Sequence, residues 1–477
     1  MPFLLMLCLS LACLPIPWPA PRYFANPWFI LLGTTVLIAG VVVGARRIAA
    51  KTCRLLADPK TRSQALSYYG RRRTQHALLL MVAFVVALYA FGWGWLVKTS
   101  VQAQFGEQLV PAVELLIMAP LPLALLLSWV CFYDVERALL AEEQPDAKPF
   151  GGRGGYVSFQ ARQNLAMISA PLLIMMLVQG LVRHFPGTFD NDRAQVLLAV
   201  PFLGAAILFM PLGVRLLLNL RPLPAGPMRD RLEAAAKRLN CRCSDILVWN
   251  TRNGVMNAMV VGVVPQLRYI LLSDRLLNEM TPEEVEAVFG HEAGHVKHRH
   301  MIYYLLFLIA GMAVMSGALA VLAQTWPAAK SWFEQNGSWL ELTLSAAFIF
   351  SIFGFISRRC ERQADVYGCK TVSCGQPDCP GHDLATNLVA HGGALCPEGV
   401  RVFCSALDKV ALLSGMSRTR PGWLHSWQHS TIARRVDFLR RLGENPHLEP
   451  RFQRSLFWVK SATLALIVLS AGVLWLI

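Results

Sequence analysis

Charge is what this sequence has least of. Only 16% of its 477 residues are Asp, Glu, Lys or Arg, against 55% hydrophobic residues and a mean hydropathy of +0.42. Soluble domains carry about a quarter charged residues, so this scarcity excludes a chain that is water-soluble throughout. Acids are the rarer sign, 30 against 45 basic residues, for a net charge of +15. There is no internal repeat and no low-complexity tract. The glycine-rich "PFGGRGGY" lacks the strand–loop–helix setting and the spacing of a phosphate loop and reads as a linker. No nucleic-acid motif accompanies the basic residues. They are scattered over segments that flank apolar runs, which points to anionic lipid and not to nucleic acid as a partner.

What the sequence has in quantity is apolar runs of spanning length: Trp28–Val43, Ala77–Val97, Leu109–Phe132, Leu165–Leu181, Val196–Leu218, Ile302–Ala323, Leu340–Ile356 and Leu456–Ile477. A bilayer core takes about 20 such residues, fewer at the margin. The shorter Phe3–Leu14 lacks the positive start and small-residue cleavage pattern of a signal peptide and is read as a first, short span. Between the first long runs lie nine Lys/Arg (Arg46, Arg47, Lys51, Arg54, Lys60, Arg62, Arg71, Arg72, Arg73), which the positive-inside rule assigns to the cytoplasm. Alternating spans then put both long polar regions, Asn219–His300 and Arg358–Arg454, on the same side.

The expected fold class is therefore an all-α polytopic membrane protein of about eight to nine transmembrane helices, with a cytoplasmic domain. The expected organisation is a transmembrane region over 1–220, a cytoplasmic domain over 221–454 interrupted by spans near 302–323 and 340–356, and a C-terminal transmembrane helix over 455–477. The expected location is an integral multi-pass membrane protein, in the inner membrane if the cell is bacterial. Oligomeric state is not legible.

The first polar region holds "TPEEVEAVFGHEAGHVKHRH". Thr281 suits an N-cap, Pro282 the first helical position, and Glu284 completes a capping box. On the helix that follows, His291 and His295 lie about 40° apart on one face and can reach one ion. Glu292 sits beside them, near enough to address a water. Neutral nitrogen ligands with a carboxylate base suit zinc-assisted hydrolysis. Gly294 and Ala293 leave room for close packing. Further on, "ISRRCERQADVYG" places Glu361 and Asp365 at i and i+4, so that one carboxylate can bind metal while the other orients a histidine. His298 and His300 are read as interfacial polar residues.

At this point "VFGHEAGHVKHRH", two intervening spans and "SRRCERQAD" resemble the membrane zinc metallopeptidases that include the CAAX prenyl endopeptidases and the bacterial heat-shock membrane peptidase. The likeness extends upstream through "NGVMNAMVVGVVPQLRYILLSDRLLNEM" and downstream to "QHSTIARRVDFL". The resemblance implies His291, His295 and Glu361 as zinc ligands, Glu292 as general base and Asp365 as the partner behind a ligand. It implies a cytoplasmic zinc-metallopeptidase domain containing a small β-sheet, with Asn257, Ala258 and Met259 as part of a strand that pairs with an extended substrate, and His429 and Arg435 as stabilisers of the tetrahedral oxyanion. Ser430 stands where the family has Pro after that histidine.

The expected function is a zinc-dependent membrane endopeptidase acting at the cytoplasmic face on membrane or lipidated proteins, by CAAX-type processing or by quality control. The alternative is a non-catalytic scaffold or sensor that retains the fold; the intact Glu292 argues against it. An intramembrane protease would carry the metal motif inside an apolar span, whereas "HVKHRH" follows it here.

Twelve cysteines are spread along the chain, most of them in segments assigned to the cytoplasm, where disulfides are not expected. One group, Cys369, Cys374, Cys379 and His382 with Cys396 nearby, has no standard zinc-knuckle spacing. Free thiols are the expected state there, with a second, structural zinc as the alternative.

Overall fold

The computed structural model describes residues 26–102, 110–140, 149–185, 192–326, 332, 340, 343–345, 347–376, 379–382, 395–414, 418–419 and 428–476. The Phe3–Leu14 run lies outside the described residues, and the Leu340–Ile356 run lies partly outside them. The chain divides into two compact units, Met1–Asn219 and Leu220–Ile477.

The first unit is helical: α1 (Pro27–Leu56), α2 (Arg62–Val85), α3 (Trp93–Val97), α4 (Val110–Met118), α5 (Pro120–Leu140), α6 (Arg153–His184) and α7 (Asp192–Leu217). Two of the expected spans are not single rods. Ala77–Val97 passes from α2 into a π-helical turn at Val86–Ala90, then restarts at α3 behind Gly92, whose φ of 81° few other residues adopt. Leu109–Phe132 breaks at Ala119, because the Pro120 ring removes a backbone donor and crowds the preceding turn. Leu80, Phe84, Leu88, Ile117, Leu121 and Tyr156 fill the interior. Trp28, Leu32, Val36, Leu79 and Val82 face outward. An apolar outer face is the reverse of a soluble amphipathic helix. Among the described residues, Pro27–Leu56, Pro59–Ala90 and Thr343–Thr371 are long and apolar enough to cross a membrane, and Pro201–Leu217 and His300–Gly311 are shorter apolar helices.

The second unit contains a four-stranded sheet in the order β1 (Arg221–Pro222), β2 (Asp245–Trp249), β4 (Tyr269–Ser273), β3 (Ala258–Val261). β4 runs parallel to β2 and antiparallel to β3, so β3 is an edge strand. Every residue of β4 is buried, in keeping with its unbroken "YILL". Around the sheet lie α8 (Pro227–Arg238), α9 (Asp274–Glu279), α10 (Pro282–Lys297), α11 (His300–Thr325), α12 (Gly354–Thr371), α13 (Pro397–Leu413), α14 (Ile432–Glu444) and α15 (Leu448–Leu476).

α10 begins as its sequence predicts. Thr281 accepts from the Glu284 N–H, and the Glu284 carboxylate accepts in return from the Thr281 N–H at 2.9 Å. Glu284 is further held by Ser405 and Lys409 of α13, each at 2.7 Å. Buried Glu286 takes Arg231 and Arg238 of α8, each at 2.6 Å. Small residues then let α10 approach α12. A methyl group on Gly294 would stand 3.1 Å from the Ala364 backbone, and one on Gly368 would stand 2.8 Å from the Ala287 carbonyl. That closeness sets the histidine face of α10 against the acids of α12. The C-terminal helix is integrated into this unit: Tyr303 of α11 donates to Thr463 of α15 at 2.8 Å, and Arg359 of α12 donates to Ser455 at 3.0 Å.

Candidate metal centre

Three side chains from two helices converge. His291 and His295, one turn apart on α10, bring their Nε2 atoms to 3.2 Å of each other. Glu361 of α12 stands opposite, with Oε2 3.8 Å from His291 Nε2 and Oε1 3.5 Å from His295 Nε2. One ligand atom from each of the three falls within 4.8 Å of the others. All three side chains are nearly enclosed. Two imidazole nitrogens and one carboxylate oxygen facing a common point are a donor set that fits a divalent metal ion.

Behind the three side chains, neighbouring residues settle which imidazole nitrogen faces inward. Asp365, fully buried one turn after Glu361, lies 3.0 Å from His291 Nδ1 and so leaves Nε2 toward the centre. Asp365 is itself gripped by Arg435 of α14, through Nε at 2.8 Å and a terminal nitrogen at 2.5 Å. For His295 the partner is His300. Their Nδ1 atoms are 3.0 Å apart, and His300 Nε2 is 2.9 Å from Gln363 Oε1. Lys460 also donates to that oxygen at 3.1 Å. An amide oxygen only accepts, so His300 Nε2 carries a proton. In a neutral His300, Nδ1 is then the acceptor and His295 Nδ1–H the donor. His295 Nε2 is left with a lone pair directed at the centre.

His300 is fully buried behind His295 and is not one of the three converging side chains. Helical phase carried on from α10 would turn it away from His295. The chain instead breaks at Arg299, whose φ of 53° is left-handed, and α11 starts anew with His300 turned back. No motif in the sequence announces that break.

Electrostatics follow from the enclosure. Burial lifts the Glu292 carboxyl above the usual range; the Glu361 charge adds to this, while His291 and the Val260 N–H oppose it. Burial pulls His295 down to about 4, which keeps it neutral at physiological pH. At His291 burial also pulls downward, but the contact and charge of Asp365 outweigh it and the net shift is upward. His429 lies with Nδ1 3.1 Å from Glu361 Oε2 and is about half exposed, and the Glu361 charge raises its pKa.

The remaining predicted residues are distributed as follows. Asn257 is exposed just before β3; its N–H donates to Ser273 Oγ and its carbonyl accepts from the Ser273 N–H, both at 3.0 Å. Ala258 and Met259 lie on β3, the edge strand nearest α10, and are half-buried. Arg435 is buried and directs two nitrogens at Asp365, with its third 3.8 Å from Glu361. Of the cysteine group, Cys374, Cys379 and His382 come together and are joined by Cys396. Cys369 does not join them. It lies within α12 and points into the core beside Ala287 and Phe403.

Residues 222–390 match the model of peptidase family M48. That stretch is an M48 peptidase domain. It contains α10, its two histidines and Glu361. Among curated relatives, a CAAX prenyl protease 1 homolog of Dictyostelium discoideum is 33% identical over 101 residues, covering 20% of this chain and 24% of the relative. A protease HtpX homolog of Methanocaldococcus jannaschii is 31% identical over 68 residues, covering 14% of this chain and 22% of the relative. The matched part of the chain thus spans about a quarter of the length of these relatives. Among solved structures, S. mikatae Ste24p aligns with a TM-score of 0.48 and 17% identity over 87% of this chain and 99% of that one.

Proposed function

We propose that the chain is a zinc-dependent membrane endopeptidase that cleaves membrane or membrane-attached proteins at the cytoplasmic face. The observation that carries this reading is the convergence of His291, His295 and Glu361, with Glu292 beside them and an edge strand alongside. In the proposal His291 and His295 offer neutral nitrogens, Glu361 offers one negative charge, and Asp365 and His300 hold the two rings in the tautomers that face inward. When bound, zinc supplies the Lewis acidity that makes a peptide carbonyl and a water reactive.

The chain's own residues then divide the work. A substrate strand adds to the open edge of β3 next to Ala258 and Met259, so that backbone hydrogen bonds carry the peptide past α10. Glu292, whose pKa is raised by burial, accepts a proton from the attacking water and delivers it to the leaving amine. His429, half exposed at the mouth of the site, donates to the oxyanion. Arg435 acts through Asp365 as a positioning residue.

The membrane setting follows from the sequence. Polar segments rich in Lys and Arg flank apolar helices, and α10 is followed at once by the apolar start of α11. Eight to nine spans with the peptidase residues on the cytoplasmic side is the arrangement proposed. Both relatives are named as proteases, and the name CAAX prenyl protease favours lipidated proteins as substrates. One comparison tests the reading: Glu292→Gln should keep the metal of the wild type and lose about 10² to 10⁴ of the peptidase rate. An active Glu292→Gln protein refutes the assignment.

A further inference from the structure

The cluster formed by Cys374, Cys379, His382 and Cys396 stands apart from the centre described above. Its ligand atoms all lie within 4.8 Å of one another. Cys379 Sγ is 3.2 Å and Cys396 Sγ 3.9 Å from His382 Nδ1. A tetrahedral zinc with bonds of about 2.3 Å to sulfur and 2.0–2.1 Å to nitrogen sets neighbouring S and N atoms about 3.5 Å apart, and the two distances bracket that value. Cys379 and Cys396 are buried, Cys374 and His382 half-buried. None is in a disulfide.

Local backbone brings the four together. Gly375, directly after Cys374, has φ 80°, and Gly381, directly before His382, has φ 130°. Both conformations are cheap only for glycine and turn the chain back on itself. Cys396 arrives from elsewhere, as the N-cap of α13, where its sulfur accepts the Gly399 N–H at 3.2 Å. An ordinary buried cysteine has no need of two further thiols and an imidazole converging on it.

We propose that these four residues bind a second zinc ion, in a closed Cys3His site of structural type. It uses four protein ligands and leaves no position for substrate. The site ties the segment after α12, the helix of Glu361 and Asp365, to the start of α13. α13 in turn sets Phe403 against the His291 ring, at 6.0 Å between centroids, and holds Glu284 through Ser405 and Lys409. The second ion thus braces the helices that position the first without touching substrate.

Metal analysis of the full-length protein, purified in detergent under reducing conditions, tests this. Wild type should carry two zinc ions per chain. His291→Ala/His295→Ala should carry one, and Cys379→Ser/Cys396→Ser should lose one while keeping the other. Cobalt loaded into His291→Ala/His295→Ala should give the near-ultraviolet thiolate-to-metal band and strong visible absorption of a tetrahedral thiolate site. This arm needs no cysteine variant to fold. A single zinc lost with the histidines, or a cobalt spectrum without a thiolate band, overturns the proposal. A single zinc that survives loss of the histidines and disappears with the cysteines supports it and instead refutes the catalytic metal.

Discussion

Asp365→Asn isolates the residue that links the metal helix to Arg435. The substitution keeps the size of the side chain and removes its charge. Asp365 is fully buried and Arg435 only 8% exposed, and the two share a two-pronged contact. Removing one partner of such a pair leaves a buried charge uncompensated, at a typical cost of about 3–5 kcal/mol of stability. The Arg435 contact to Glu361 at 3.8 Å and the amide oxygen that remains place the expected loss toward the lower end. His291 loses the carboxylate that orients it, which typically weakens metal binding by about 10–100-fold. Glu292 is untouched, so the defect should be in affinity, not chemistry. The assay is a pair of titrations: thermal melting for stability, and peptidase rate against buffered free zinc. The variant should melt earlier, require about 10–100-fold more free zinc, and approach the wild-type rate once saturated. Glu361→Gln, which alters a ligand, should not be rescued in that way. An Asp365→Asn protein with unchanged melting and unchanged zinc dependence refutes the argument for Asp365 and, with it, the positioning role of Arg435.

His300→Leu should leave the His295 Nδ1–H buried without an acceptor, at about 1–3 kcal/mol, and weaken zinc binding. His300→Gln, whose amide oxygen can accept, should recover part of both; equal behaviour of the two variants in a zinc titration would remove His300 from the site. At Glu284 burial pushes the pKa up, but Lys409, the Thr281 N–H and Ser405 together outweigh it and the net shift is downward. A carboxyl with a depressed folded pKa contributes stability that is fully present above its unfolded value, about 4.3, and is lost as pH falls through the folded value. Melting temperature should therefore fall more steeply on acidification in wild type than in Glu284→Gln, and identical slopes would refute the capping argument.

The legible part of the fold was whatever local chemistry decides. The start of α10 is fixed by Thr281, Pro282 and Glu284 acting within four residues, and the structure has that capping box. Among the described residues the long apolar runs likewise show as helices, which satisfy their backbone internally. The breaks inside them were harder to see. Pro120 marks one in the sequence, but the π turn before Gly92 depends on neighbouring packing.

In the site the pattern is the same. Spacing alone put Glu361 and Asp365 on one face of a helix and could not say which of them meets the metal histidines, since i and i+4 are equivalent until a neighbour is known. What separates them is the partner each meets: Glu361 faces both imidazoles, and Asp365 faces the back of one and Arg435. That partner lies seventy residues further on, beyond any local pattern. The positions of His300 and Cys396 are not legible in the sequence for related reasons. His300 owes its direction to one left-handed residue at a helix junction, and Cys396 reaches its cluster from the far side of a long connection. Proximity in sequence groups Cys369 with the cluster, but α12 continues to Thr371 and carries that sulfur into the core. Residue type and spacing therefore identify which side chains can do chemistry, whereas the orientation each needs is set by the helix it packs against. The residues that fix orientation here, Arg435 for Asp365 and Gln363 for His300, are the ones whose substitution should alter metal affinity while leaving the ligand set intact.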